Sequence, residues 1–185
     1  DFNDREVDLI TEGFDLAIRI ARLPDSSLIA RRLASTQSVM CASPAYLQKM
    51  GAPETAEDLI NHRCLVYSLI PGYENWHLKD ANGNELKVRI RPYLKATNGE
   101  FLRDAAVDGQ GIVLMPAFIL YREIERGALV PLLGNYEHPQ MDAYAIYPQT
   151  RHLSQRVRAF VDFLVTRFDG TPYWDRCLQD SMGRS

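Results

Sequence analysis

The residues of this sequence that could perform catalysis are scattered rather than clustered. The four histidines lie far apart in the sequence, none at metal-ligand spacing: His62, His77, His138 and His152. Surface or capping roles are therefore favoured for them. No HExxH, GxSxG or P-loop motif occurs, so the linear signatures of a metalloprotease, a serine hydrolase and a nucleotide-binding site are missing.

Two other features suggest chemistry, but each has a simpler structural interpretation. Asp104 and Asp108 are carboxylates one helical turn apart, which a solvated helix face explains as well as catalysis does. Gly109-Gln110-Gly111 is followed by Leu114 where a dinucleotide-binding loop needs its third glycine, and by a predicted strand where it needs a helix. The sequence therefore predicts no catalytic residue, no metal and no cofactor.

The composition is that of a globular protein, with 46% hydrophobic and 24% charged residues among 185. The 21 basic residues are dispersed and the net charge is -3, so this chain carries no electrostatic footprint for nucleic acid. Cys41, Cys64 and Cys177 form no CxxC pair and leave an odd thiol. There is no bilayer-length apolar run, and charged first residues argue against a secretory signal. A cytoplasmic location is expected, although a mature exported protein would look the same.

The elements that must position any site alternate between strands and helices, which indicates an α/β fold. Period-two and apolar runs predict strands at 14–20, 28–33, 38–42, 64–68, 75–78, 85–91, 112–115, 129–132 and 141–147. Capping residues predict a helix at 4–12 ended by Gly13, and helices opening at Ser43-Pro44, Thr55, Asn98, Pro116 and Ser154. Asn82-Gly83 predicts a hairpin turn.

The last predicted helix is the most clearly amphipathic. Its apolar stripe comprises Val157, Phe160, Val161, Leu164 and Phe168. The tail from Asp169 to Ser185 has no periodicity beyond Tyr173-Trp174, so we expect it to be loosely attached or disordered.

Four blocks of sequence, in this order, resemble the LysR-type transcription regulators over nearly the whole chain. The blocks are 12–19 with 23–34, 41–47, 99–106 with 111–116, and 144–148 with 151–154 and 157–160. The resemblance implies a fold similar to type 2 periplasmic binding proteins, in which two Rossmann-like lobes are joined by two crossing strands. The crossings would lie near Thr36–Val39 and Tyr144–Tyr147.

The resemblance also implies a division of the chain into lobes. Lobe I would comprise residues 1–36 and 145–168, lobe II residues 37–144, and a tail residues 169–185. In this family a winged helix-turn-helix, a linker helix, and the first strand and helix of lobe I normally precede the position of Asp1. Promoter DNA would be bound only through that absent helix-turn-helix.

Ligands of doubly wound sheets sit beyond the carboxyl ends of strands, near the amino ends of helices. This rule, supported by the resemblance, selects as effector-binding candidates Asn3, Asp4, Ser43, Tyr67, Ser68, Asn98, Gly99, Glu100 and Phe101. The alternative, that Ser43 and Asn98 are only helix caps and Phe101 only core, remains open. Many effectors of the family are small carboxylates, whereas Glu100 in the first helical turn would repel a carboxylate.

The resemblance implies a sensor of a small metabolite that also forms dimers or tetramers, is not an enzyme and has no membrane partner. Effector binding between the lobes would shift the population of lobe arrangements. Gly99→Glu is expected to abolish the response while leaving the fold intact. The alternatives are a periplasmic solute-binding protein of a transporter, which shares the bilobal fold, and a small α/β enzyme.

Overall fold

The computed structural model describes residues 7–20, 28–149 and 154–175, over which strands and helices alternate. The strands are β1 (Ala17–Ile20), β2 (Leu28–Ala42), β3 (Cys64–Tyr67), β4 (Asn75–Lys79), β5 (Glu85–Arg89), β6 (Pro92–Ala96), β7 (Ile112–Pro116), β8 (Val130–Pro131) and β9 (Gln140–Pro148). The helices are α1 (Pro44–Met50), α2 (Gly99–Val107), α3 (Ala117–Glu125) and α4 (Gln155–Arg167), with a 3-10 helix over Ala56–Asn61.

The described residues divide into two compact units. Unit 1 contains those up to Thr36 together with Gln140–Tyr173, and unit 2 contains Gln37–Pro139 together with Trp174 and Asp175. The chain therefore passes between the units at three places, 36/37, 139/140 and 173/174. The lobe boundaries at 36, 144 and 168 stay a prediction, because compactness alone does not define a functional lobe.

Unit 1 is built on β1, β9 and the first part of β2, with α4 packed on the sheet. β1 runs antiparallel to β9, with Ala17 opposite Ile146. Leu33, Ala145 and Val161 form the buried centre of this unit. Apolar side chains from a strand, its neighbour and α4 thus meet in one small core.

Two predictions for α4 are wrong. Phe160 is 47% exposed, because it lies at the margin of an apolar stripe that is centred on Val161 and Leu164. Ser154 is the residue before the first turn, but its side chain makes no capping hydrogen bond. The stripe predicted from the sequence is therefore narrower in the structure.

The first described residues also differ from the prediction. Residues 7–13 form a turn rather than the end of a helix: Asp8 Oδ1 accepts hydrogen bonds from the N–H groups of Ile10 and Thr11. Gly13 takes the left-handed conformation that was expected, with φ 73°. The following strand is shorter than predicted, and Ile18 on it is 46% exposed.

Unit 2 contains a sheet in the order β2, β7, β3, β6, with β8 paired to the end of β2. β7, β3 and β6 run parallel to one another, whereas β2 runs antiparallel to β7. β2 is one strand across the two runs that the sequence predicts, and β6 was not predicted at all. The side chains of Met40, Ile112 and Val66 lie in the core of this sheet.

A separate hairpin of β4 and β5 covers part of that core through Trp76 and Leu78. Its Asn82-Gly83 turn was predicted, and Gly83 has φ 82°, which a glycine adopts without strain. The capping box of Thr55 and Asp58 is also confirmed, although it opens a 3-10 helix.

The described part of the tail is anchored. Trp174 is only 7% exposed, and its ring meets that of Phe118 on α3 edge-on, with centroids 6.2 Å apart. For Trp174 the expectation of loose attachment is therefore wrong, since burial of its large aromatic side chain fixes it within unit 2.

Candidate functional site

Two strand ends and one helix start come together at one edge of the unit 2 sheet. β3 and β6 are parallel, with Tyr67 opposite Ala96, so their carboxyl ends lie side by side. The N–H of Ser68 donates to the carbonyl oxygen of Ala96 at 2.9 Å. Because α2 begins at Gly99, the candidates Tyr67 and Ser68 lie next to the segment that leads into this helix.

Asn98 opens α2 as its N-cap. Its Oδ1 accepts a hydrogen bond from the N–H of Phe101 at 2.8 Å, and its carbonyl accepts from Leu102 at 3.3 Å. The side chain remains exposed to solvent. Asn98 is therefore a helix cap that can also present its amide group to a bound molecule, as the two roles use different atoms of the same side chain.

The two residues after Gly99 point away from the core. Glu100 is exposed in the first turn of α2, and Phe101 is 54% exposed, so the alternative that Phe101 is a core residue is wrong. Phe101 lines a groove of about 540 Å³ beside α2 together with Tyr93, Leu94, Asp104, Ala105, Asp108 and Gln110.

Gly99 is buried, and it allows α2 to approach β7 and α3 closely. A Cβ atom here would lie 2.8 Å from Met115 Cε and 2.9 Å from Ile119 Cδ1. Any side chain would therefore require these two neighbours to move. Both neighbours are flexible side-chain ends, so the expectation that Gly99→Glu leaves the fold intact stays a prediction. The substitution changes packing as well as charge, so it is not a clean test of ligand binding.

Ser43 lies away from the other candidates. It is 2% exposed, and its Oγ accepts from the N–H of Tyr46 at 3.3 Å, as a cap of α1. Since β2 is antiparallel to β7, with Cys41 opposite Val113, the end of β2 lies where β7 begins. Ser43 is thus at the opposite edge of the sheet from Tyr67 and Ser68. Asn3 and Asp4 lie outside the described residues.

A neighbouring loop contributes groups that the sequence did not single out. Leu69 and Ile70, which follow Ser68 directly, are 46% and 50% exposed. Lys95 Nζ donates to Tyr73 OH at 2.8 Å and lies 4.7 Å from the centre of its ring, which ties this loop to β6. That hydrogen bond raises the pKa of Lys95. The absence of β6 from the predicted elements hid this arrangement.

The titratable groups inside unit 2 serve packing. Tyr46 OH lies 3.1 Å from His62 Nδ1 and accepts the N–H of Arg63 at 3.0 Å, and burial lowers the pKa of His62. Burial also raises the pKa of the Cys64 thiol to about 12, so it is not a nucleophile. Among residues 7–20, 28–149 and 154–175, no cluster of three or more His, Cys, Asp or Glu could hold a metal ion.

The same described ranges contain no helix that is both long and apolar enough to cross a membrane.

The sequence of this chain is similar to a known protein family and to known transcriptional regulators. Residues 2–169 match the family model of the LysR substrate binding domain. The chain is 36% identical over 157 residues to an uncharacterized HTH-type transcriptional regulator of Haemophilus influenzae, covering 85% of this chain and 54% of that protein. It is equally similar, over 160 residues, to the HTH-type transcriptional regulator CrgA of Neisseria meningitidis, covering 86% and 53%. The chain thus spans about half the length of these relatives.

Solved structures agree with the sequence matches. The CrgA regulatory domain from Neisseria meningitidis is similar with a TM-score of 0.76 at 35% identity, covering 86% of this chain and 78% of that one. The full-length virulence activator AphB of Vibrio cholerae is similar with a TM-score of 0.76 at 32% identity, covering 89% and 55%.

The family match and the solved structures together define the fold class and the family of this chain. The chain is a substrate-binding α/β domain of the type 2 periplasmic-binding-protein fold. It belongs to the LysR substrate-binding domain family and is similar to the regulatory domains of such regulators. The recognition and the fold class predicted from the sequence are confirmed. The relatives are transcriptional regulators and not transporters, so the solute-binding alternative is not supported.

Proposed function

We propose that the whole protein is a DNA-binding transcription regulator and that this domain senses a small metabolite without transforming it. The arrangement that carries the proposal is the meeting of the β3 and β6 carboxyl ends with the amino end of α2, held by the Ser68–Ala96 hydrogen bond. Open strand ends beside free helix N–H groups form a binding place in doubly wound sheets. Sensing by ligand binding requires only a shift in the population of domain conformations, and no covalent step.

The proposed site in unit 2 retains the candidates at this edge, namely Tyr67, Ser68, Asn98, Gly99, Glu100 and Phe101. Ser43 is set aside because β2 ends at the other edge of the sheet. Gly99 acts through the close packing that it allows, and its neighbours act through their exposed groups. Asn3 and Asp4 remain candidates on the sequence argument alone.

The exposed groups around the site favour a neutral or cationic effector with an apolar part. Glu100 brings a negative charge to the first turn of α2, where it opposes an anionic ligand. Lys95, on the adjoining strand β6, is engaged with Tyr73. Leu69 and Ile70 add exposed apolar surface directly after Ser68.

The partners of the whole protein follow from its relatives. Names such as HTH-type transcriptional regulator support promoter binding through a helix-turn-helix outside this domain. We also propose self-association into dimers or tetramers and action in the cytoplasm, where the promoter would be. Catalysis is not proposed, because the polar groups described above serve as caps and packing contacts.

The test is a thermal-shift screen of metabolites against the complete sensor domain, followed by calorimetry of each ligand that raises the melting temperature. Glu100→Gln should change the affinity of a charged ligand at least threefold, because it removes a charge beside the ligand. Glu57→Gln, which alters an exposed acid in the first turn of the 3-10 helix, serves as the matched control. Equal affinities of a charged ligand for both variants and the unchanged protein would place that ligand elsewhere.

A further inference from the structure

The third passage between the units was not expected from the sequence. Two passages belong to the strands β2 and β9, and the third lies in the tail, between Tyr173 and Trp174. The first residues on the unit 2 side of the three passages are Gln37, Pro139 and Trp174. Each of them lies in a segment that is hydrogen-bonded or packed within unit 2.

Two of these segments are joined along one edge of β2. The N–H of Ser38 donates to the carbonyl oxygen of Pro139 at 2.9 Å. His138 donates in turn to the backbone carbonyl of Ser38. The beginning of β2 in unit 2 is thus bound to the segment that leads into β9.

The tail occupies the other edge of β2. The pairing of β2 with β7 ends at Ser38 opposite Pro116, so the N–H of Gln37 lies just beyond the ladder. This N–H donates to the carboxylate of Asp175. Adjacent backbone N–H groups of a strand point to opposite edges, which explains how Gln37 and Ser38 hold different segments.

The aromatic contact fixes the tail at the same place. Pro116 is also the residue from which the chain turns into α3, and Phe118 in the first turn of α3 receives the ring of Trp174 edge-on. Trp174 therefore packs beside the end of β7 while its neighbour Asp175 bonds to the exposed backbone of β2. The two contacts support each other because they come from consecutive residues.

We propose that Trp174 and Asp175 form a tail strap that anchors the third passage to β2 and restrains movement of the two units relative to each other. Two bodies joined by two short segments can rotate about the line through them, and hinge motions use this freedom. A third segment that is anchored at its end opposes such a rotation. The strap therefore sets how freely an effector can rearrange the domain.

The strap can be tested without an effector, so its failure leaves the proposed effector site untouched. The variants are Trp174→Ala and Asp175→Ala in the full chain, and the matched control is Tyr173→Ala, which alters the exposed aromatic neighbour on the unit 1 side. Spin labels are placed at Lys49→Cys and Arg158→Cys, which are exposed sites in unit 2 and unit 1. Cys41 and Cys64 are buried, and Cys177→Ser removes the remaining thiol.

Hydrogen exchange of the Gln37 amide measures whether its hydrogen bond to Asp175 is formed. The distribution of distances between the two spin labels measures how far the movement of the units is restrained. Both strap variants should exchange Gln37 at least tenfold faster and broaden the distribution, whereas Tyr173→Ala should do neither. Unchanged exchange in Asp175→Ala would exclude the anchor, and faster exchange with an unchanged distribution would exclude the restraint. Equal broadening in Tyr173→Ala would also overturn the proposal. If Trp174→Ala does not fold, Asp175→Ala alone decides.

Discussion

The phenol oxygen of Tyr46 lies 3.1 Å from Nδ1 of His62 inside unit 2 and also accepts the backbone N–H of Arg63. This single hydroxyl joins α1 to the segment before β3. The ring of Tyr46 is 2% exposed, so water cannot replace the hydroxyl if it is removed.

Tyr46→Phe is therefore expected to destabilise the protein. It leaves a part-buried N–H and a buried imidazole nitrogen without their partner, at a cost of about 1–3 kcal/mol. Urea unfolding measures the loss. Tyr93→Phe, on a ring that is 54% exposed, is the control and should change the free energy of unfolding by less than about 0.5 kcal/mol. A Tyr46→Phe protein as stable as the control would show that the hydroxyl contributes nothing.

Stability should also depend on pH through His138. Burial lowers the pKa of His138 from 6.5 to about 4 in the folded chain. The unfolded chain binds the proton more readily, so the contribution of neutral His138 is present above pH 6.5 and is lost as pH falls toward 4. The full loss amounts to roughly 3 kcal/mol for a shift of this size.

The pH dependence is measured by urea unfolding between pH 7.5 and pH 4 in His138→Gln and in the unchanged protein. Their difference in unfolding free energy should shrink toward acid pH, since the variant has no imidazole to protonate. His77→Gln, at an exposed position of β4, is the control for replacing a histidine by glutamine. Parallel curves for His138→Gln and the unchanged protein would contradict the assignment.

A third prediction compares two glycines that permit close packing. A Cβ on Gly111 would lie 2.3 Å from the carbonyl oxygen of Arg63, which accepts the N–H of Ile112. A Cβ on Gly99 would instead meet the ends of two flexible side chains, Met115 and Ile119. A backbone group cannot move aside as a side-chain end can.

Gly111→Ala should therefore destabilise the protein by about 3 kcal/mol or more, and Gly99→Ala by about 1 kcal/mol. Thermal and urea unfolding of the two variants show which substitution lowers the free energy of unfolding more. Equal stabilities, or the reverse order, would show that the chain between the 3-10 helix and β3 shifts freely. The comparison also gives a milder substitution than Gly99→Glu for work on the effector site.

The local features of this chain were predictable from short stretches of residues. The cap at Asn98, the Thr55 capping box, the Asn82-Gly83 turn and the left-handed Gly13 each depend on contacts within about four residues. The family was also recognisable, because its four blocks occur in the order that the fold requires. Recognising such caps, turns and sequence blocks requires no knowledge of which strands become neighbours.

The differences between prediction and structure arose where a distant partner decides the outcome. Ser43 follows a strand, as the other candidates do, but the direction of β2 relative to β7 places it at the opposite edge of the sheet. β6 begins with Pro92 and has little apolar alternation, and it becomes a strand by pairing with β3. Trp174 is buried because Phe118, far away in the chain, is beside it.

Sequence patterns thus determined the family, the α/β class and most helix starts, because capping and periodicity act over a few residues. Strand direction, the exposure of Phe101 and Phe160, and the anchoring of the tail were settled by three-dimensional packing. The physical reason is that hydrogen bonds between strands and burial of side chains join residues that are far apart in the chain, and a local pattern carries no information about such partners.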